Sequence, residues 1–283
     1  MLHVVTSAAW LAADFRAAGV AVSHHHGLET FPFDSTDGIW CSGGFAARLR
    51  ASGIDASGFT APADTLLARL PAAVAGRRVA VGGPETLREH LGHGPVFVKL
   101  AGVKDSTRPA RVYGGLEGAL DALKAPGVLV EHLGPLLASE PLQLAEEYRV
   151  LVVDGDCVDA AIYLDADGVT AHDAAETGLR AEALDFARTV LKSVPAAAVP
   201  SAWMLDVGRT TGGWVPVEAN PVWSSNPYGL DLAAVAAAIC ASGRTRHDMS
   251  LPWRMPAYWA DRARPLPAGA ATAPGSAPHT WAP

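Results

Sequence analysis

The sequence is short of the features that mark several protein classes. Its three cysteines, Cys41, Cys157 and Cys240, are odd in number, far apart and in no C-x-x-C. That excludes a disulfide framework and a cysteine-based zinc site. Positive charge is in deficit, with 22 Lys plus Arg against 29 Asp plus Glu and a formal net charge of -7. The broad basic face that phosphate-backbone binding requires is therefore missing, and nucleic acid is not an expected partner. No run approaches the roughly 18 apolar residues that span a bilayer, and Asp14 and Arg16 interrupt the N-terminus before a signal-peptide layout develops. Unpaired thiols suit a reducing compartment, so the reading is a cytoplasmic protein with no membrane partner. A chain of 283 residues can bury a core without staples, as one large or two modest domains.

What is present is alternation of short apolar runs with helical patterns. Leu2 to Val5, Val20 to Val22 and Ile39 to Cys41 read as strands. Trp10, Leu11 and Phe15 have helical spacing within Ala8 to Ala18, and an Ala/Arg-rich helix runs to Arg50. Alternation of this kind predicts parallel βαβ units. Asp64 to Leu70 and Pro84 to Leu91 read as helices, the second with proline near its first turn. From Val96 the pattern becomes α+β: strands at Val96 to Leu100, Val112-Tyr113, Val128 to Glu131, Tyr148 to Val153 and Ala160 to Leu164, and helices at Leu116 to Leu123 and Ala181 to Leu191. The Gly134 to Gln143 connection reads as irregular. The predicted organisation is an α/β unit over 1–77, an α+β unit over 78–243, and a Pro/Ala-rich tail over 244–283 expected to be poorly ordered.

Several conspicuous groups carry little chemistry by their spacing. Ser42-Gly43-Gly44 opening a helix matches neither nucleotide-binding glycine signature, so it reads as turn chemistry. His24 to His26 sit between a strand and a turn; neighbours in extended chain point to opposite faces, so they cannot all hold one ion. They read as a surface loop, with a weak adventitious metal site as the remainder. His90 and His93, separated by a helix-breaking glycine, form no rigid i,i+4 ligand pair.

The most informative stretch is Trp203 to Pro221, two strands around Gly212-Gly213. If the loop is Thr211 to Gly213, Asp206 falls opposite Glu218, and Asn220 shares the face of Glu218. Opposed carboxylates on one sheet face are destabilising unless neutralised. Two carboxylates and an amide oxygen are the ligands that Mg²⁺ prefers. A register shifted by one residue, or an exposed hairpin with solvated carboxylates, would remove that reading.

Glu218-Ala219-Asn220-Pro221, the acidic Asp206 12 positions upstream, the strand-end Lys99 and the apolar-acidic run Val128 to Leu133 together resemble the ATP-grasp superfamily. The likeness covers roughly Arg78 to Ala241 and is closest to a subgroup with two arginines and one lysine. It implies a small N-terminal pre-grasp α/β domain and an ATP-grasp domain holding ATP between two α+β subdomains. It implies that Lys99 contacts nucleotide phosphates, with Lys104 in a loop able to close over them. It also implies that backbone groups of His132 and Leu133 pair with adenine, and that Glu131 or Glu140 reaches the exocyclic amine or ribose. Arg149 and Arg209 would lie near the reacting phosphoryl group or a substrate carboxylate; for each, a surface ion pair is the alternative. Asp206, Glu218 and Asn220 would hold Mg²⁺, and Ser224, Ser225, Asn226 and Tyr228 would line the acceptor site. The implied activity is an ATP- and Mg²⁺-dependent carboxylate–amine ligase working through an acyl phosphate. Its partners would be a small carboxylate and an amine, or a peptide terminus. A phosphotransferase and a non-catalytic nucleotide-binding module are the alternatives.

Overall fold

The computed structural model describes residues 1–26, 31–33, 37–52, 58–104, 108, 110–124, 133–165, 168–169, 179–255, 259, 263 and 279–281. The N-terminal unit contains β1 (Leu2–Val5), α1 (Ala9–Ala17), β2 (Val22–His25), β3 (Phe31–Phe33), β4 (Gly38–Cys41) and α2 (Gly43–Ala51). β1 is central and pairs in parallel with both β2 and β4, as alternating strands and helices predict. Ser42 caps α2 by accepting from the Phe45 amide, which is the role that Ser-Gly-Gly serves here. The histidine run is not a loop: His24 and His25 belong to β2, and His25 is buried with its Nε2 3.0 Å from His3 Nδ1. Burial, followed by the neighbouring His3 and His24, holds the His25 pKa down to about 4.

The next unit comprises α3 (Ala72–Ala75), β5 (Val79–Gly82), α4 (Pro84–His90), β6 (Val96–Leu100), β7 (Arg111–Tyr113), α5 (Leu116–Leu123) and β8 (Leu136–Ser139). Its antiparallel sheet has the order β5-β8-β6-β7. β8 lies in the stretch that reads as irregular. Its four residues are all buried, so the polar/apolar alternation that reveals a half-buried strand is absent. Asp64 to Leu70 does not form the expected helix; a 3-10 turn at Leu67–Arg69 is enough to bury Leu66, Leu67 and Leu70, and so short a segment is a poor helix nucleus.

The third unit holds β9 (Glu146–Val153), β10 (Asp156–Asp165), β11 (Gly168–Val169), α6 (Arg180–Ser193), β12 (Ala202–Thr210), β13 (Gly213–Pro221) and α7 (Leu232–Ala241). Its sheet runs β11-β10-β9-β12-β13, antiparallel throughout. Alternation splits the sheet into two faces. Val150, Val152, Leu205 and Val207 pack with Ala183, Ala187 and Val190 of α6. Leu151, Ala161 and Met204 pack instead with α7 and the N-terminal unit. The expected α/β unit followed by an α+β unit is the architecture found.

Composition alone marks everything after Gly243 as tail, yet α8 (Arg246–Met249) and Trp253 pack on the core. The reason is polar as well as apolar: fully buried Asp248 accepts from the Ser201 amide at 2.7 Å and from its hydroxyl at 2.6 Å. Further on, β14 (His279–Trp281) pairs antiparallel with β3. No described helix is long and apolar enough to cross a membrane.

Candidate active site

The site is built on one face of the five-stranded sheet. Asp206 pairs in register with Glu218 on one side and Arg149 on the other, and Met204 pairs with Asn220. Residues paired across strands share a face, so Arg149, Asp206, Glu218 and Asn220 converge. The facing carboxylates arise by a different route from the predicted three-residue loop. Thr210 pairs with Gly213 around a two-residue turn, and a bulge at Val217 shifts the register by one residue, so Asp206 again meets Glu218. Bulges re-aim side chains in this way.

Arg149 and Asp206 form a buried bidentate pair, Nε to Oδ1 at 2.8 Å and Nη2 to Oδ2 at 2.7 Å, with 1% and 0% side-chain exposure. The third guanidinium nitrogen, Nη1, donates to the Asn226 carbonyl at 2.7 Å. Burial opposes the guanidinium charge, but Asp206 more than offsets it, and the pKa rises above its ordinary value. Tyr163 and Tyr228 stack at 4.6 Å between centroids, and the guanidinium carbon lies 5.3 and 4.9 Å from their rings. A fork clamped on a carboxylate and seated against aromatic rings is an arginine-specific arrangement.

Asn220 Nδ2 donates to Asp206 Oδ2 and to Glu218 Oε2, each at 3.0 Å, which links the two carboxylates. Lys99, from β6 of the other sheet, forms an ion pair with Glu218, and Lys104 Nζ lies 3.9 Å from Glu218 Oε2. Burial works against Glu218 ionisation, but the two lysines and the Asn220 hydrogen bond overcome it and hold the pKa at about 2. The two carboxylates suit a hard divalent cation, and Asn220 joins them as an oxygen ligand with its amide turned to present Oδ1 in place of Nδ2. Asp206 keeps one of its four lone-pair positions after Arg149 and Asn220 are counted, and the Glu218 partner Lys99 is itself a displaceable cation.

Two cavities flank this cluster and share Lys99, Val103, Lys104 and Glu218. The larger, about 710 Å³, lies between the two sheets and is lined among others by Phe97, Ser139, Leu142, Leu144, Glu147 and Tyr163. The smaller, about 300 Å³, lies toward the N-terminal unit and includes Trp40, Asp64, Trp223, Ser224, Ser225 and Trp253.

The remaining predicted residues fall in different places. Arg209 is exposed and outside both cavities. It is three residues from Asp206 on the same strand, and an odd spacing puts it on the opposite face. Glu140 is also outside both; it pairs with Arg78 on the surface, Nη2 to Oε1 at 2.8 Å. Leu133 is buried in the core of the four-stranded sheet, while Glu131 and His132 lie outside the described residues. Ser224 and Ser225 line the smaller cavity. Asn226 and Tyr228 instead engage Arg149.

Sequence reading passes over Arg77, Glu147, Tyr163 and Asp64, all of which line a cavity. Arg77 donates to the Pro216 carbonyl at 2.6 Å, while its buried Nε has no hydrogen-bond partner among the described residues. Burial lowers its pKa to about 10. The period-two spacing of Glu147 and Arg149 was the available signal for Glu147. Burial, and then the charge of Asp206, raise the Glu147 pKa to about 7, against a hydrogen bond from Tyr163.

This sets a pH dependence of stability. The folded-state pKa is raised, so the unfolded carboxyl ionises first, and stability falls as pH rises from about 4.5 to about 7. The loss is complete above that range and is on the order of 3 kcal/mol. Urea unfolding at pH 5 and pH 8 is expected to show this decline in the native protein and to lose it in Glu147→Gln. A decline of the same size in the variant would assign the dependence to other groups.

Residues 75–238 match the family model for the ATP-grasp domain of the R-two-K clade, family 2. No curated protein matches the chain in sequence. Among solved structures it is similar to the D-alanine-D-alanine ligase of Coxiella burnetii, with 12% identity, 65% of this chain and 56% of that one covered, and a TM-score of 0.42. The chain thus spans little more than half the length of that ligase. It is similar to a RimK domain ATP-grasp protein of Sphaerobacter thermophilus DSM 20745, with 17% identity, 84% and 98% covered, and a TM-score of 0.42. It is also similar to N5-carboxyaminoimidazole synthase of Aspergillus clavatus, solved with ADP and 5-aminoimidazole ribonucleotide, with 13% identity, 90% and 80% covered, and a TM-score of 0.47.

Proposed function

Because the chain belongs to the ATP-grasp superfamily of ATP-dependent ligases, in family 2 of the R-two-K clade, we propose that it joins a carboxylate to an amine at the expense of ATP. Enzymes of this superfamily use ATP and Mg²⁺. The observation that carries the reading is the larger cavity, which brings Lys99 of one sheet against Glu218 of the other with Arg77 and Lys104 beside them.

In this reading ATP occupies the larger cavity with its phosphates toward Lys99 and Lys104. Two ammonium groups and the Arg77 guanidinium offset phosphate charge, which is the main need in phosphoryl transfer. Asp206 and Glu218, with the Asn220 amide oxygen, would hold Mg²⁺, which when bound would supply further neutralisation of phosphate charge. Arg149 acts mainly by position: with every guanidinium nitrogen engaged by Asp206 or Asn226, it fixes the Asp206 carboxylate. A substrate carboxylate oxygen attacks the γ-phosphorus, breaks its bond to the bridging oxygen and releases ADP. The amine nitrogen then attacks the acyl carbon, phosphate leaves, and the amine loses a proton to form the amide. No protein nucleophile is needed.

The test is product analysis with the purified protein, ATP, Mg²⁺, amino acids and small amines. ADP, phosphate and a condensed mass support the ligase. ADP with a phosphorylated product instead assigns a phosphotransferase, and AMP overturns the acyl-phosphate route.

A further inference from the structure

The smaller cavity has a polar and aromatic character that nucleotide binding does not use. Three of its tryptophans are fixed by their own N–H groups: Trp40 Nε1 donates to the Ser225 carbonyl at 2.8 Å, Trp223 Nε1 to the Thr60 carbonyl at 2.8 Å and Trp253 Nε1 to the Gly102 carbonyl at 3.3 Å. Trp223 and Trp253 are buried in the core, so the aromatic surface left for a ligand is mainly that of half-buried Trp40, whose single donor is already spent on backbone.

Against these rings the cavity sets Asp64, apart from Glu218, which with Lys99 and Lys104 forms the wall shared with the larger cavity. Asp64 makes no hydrogen bond or ion pair among the described residues. Its carboxylate packs on the Cα of Gly102, whose φ of +70° and missing side chain leave the space it occupies. Burial raises its pKa, while Arg254 and Lys99 pull in the opposite direction at longer range. Arg254 is exposed, and the charge of Lys99 is already answered by Glu218. Among the described residues the partly buried carboxylate thus has no direct partner, in a cavity also lined by half-buried Trp40, and an organic ammonium group suits both surroundings. The shared wall of Lys99 and Glu218 puts this cavity next to the point where the larger one would present an activated carboxyl group.

We propose that the smaller cavity is the site of the amine co-substrate, a primary amine with an apolar body, whose ammonium is received by Asp64 and whose carbon skeleton lies against the wall of Trp40, Ala61 and Ala63. This rests on the ligase reading for its place in the reaction, but the binding itself does not depend on turnover.

The experiment is saturation-transfer NMR on the full chain with n-butylammonium, 1-butanol and butyrate as size-matched probes, repeated in Asp64→Asn. A parallel titration uses a non-hydrolysable ATP analogue with Mg²⁺. The expected result is that butylammonium binds the native protein at least tenfold more tightly than the alcohol or the carboxylate, and that Asp64→Asn weakens it at least tenfold with nucleotide affinity unchanged. The native comparison stands even if the variant folds poorly. Equal binding of the three probes, a preference for butyrate, or unchanged butylammonium affinity in a folded variant would overturn the assignment. Nucleotide that fails to bind while butylammonium behaves as expected would remove the ligase reading and leave the amine site.

Discussion

Replacing Asp206 by alanine is expected to destabilise the protein by about 3–5 kcal/mol. The Arg149 guanidinium is 1% exposed and Asp206 takes two of its nitrogens. Without the carboxylate, a buried positive charge is left with one backbone carbonyl and the faces of two tyrosines. Neither replaces an anion, and solvent cannot reach the site without disrupting the sheet. Removing one member of a buried pair is much more damaging than removing both, so Asp206→Leu combined with Arg149→Met should recover a large part of the loss. Urea unfolding of Asp206→Leu, Arg149→Met and the double variant measures the coupling directly. Additive losses would mean that the pair contributes no specific interaction.

The second large effect is on turnover. Glu218→Gln keeps the shape and the hydrogen-bonding reach of the side chain but removes the charge that holds Lys99 and that would hold Mg²⁺. ATP turnover is expected to fall on the order of 10³-fold, comparable with loss of a principal electrostatic contact to a transition state. The cost to folding should be smaller than for Asp206, because the Glu218 and Lys99 side chains keep 21% and 15% exposure where Asp206 and Arg149 keep 0% and 1%. Steady-state ADP release at saturating ATP, with melting temperature as a control, checks both parts. A variant retaining native rates would exclude Glu218 from the metal site.

How far the sequence was readable depended on how each residue announces itself. Lys99 and the Asp206–Glu218–Asn220 cluster lie on strands with clear alternation and closely spaced polar groups, and the structure brings all four together. The facing register was legible even though its cause, a bulge at Val217, was not, because a shorter turn plus one extra strand residue gives the same pairing as a longer turn. Asp64 and Arg77 were illegible for a different reason. Each sits in irregular chain ahead of the four-stranded sheet, and only tertiary contact turns it toward a cavity. Strand β8 was hidden by complete burial, which erases the period-two signal. Arg209 shows the opposite error, since an arginine close in sequence to a key carboxylate is directed away from it by the parity of a strand.

The Lys99–Glu218 ion pair joins β6 of one sheet to β13 of the other, and this crossing has a consequence for the order in which ligands arrive. A bare divalent ion meets a carboxylate already neutralised by the lysine and gains little from entering. On the proposed function, a phosphate-bearing ligand would draw the ammonium toward itself and leave Glu218 anionic and open to a metal. Cation and nucleotide would then favour each other's entry through one shared lysine, an electrostatic coupling between two neighbouring sites.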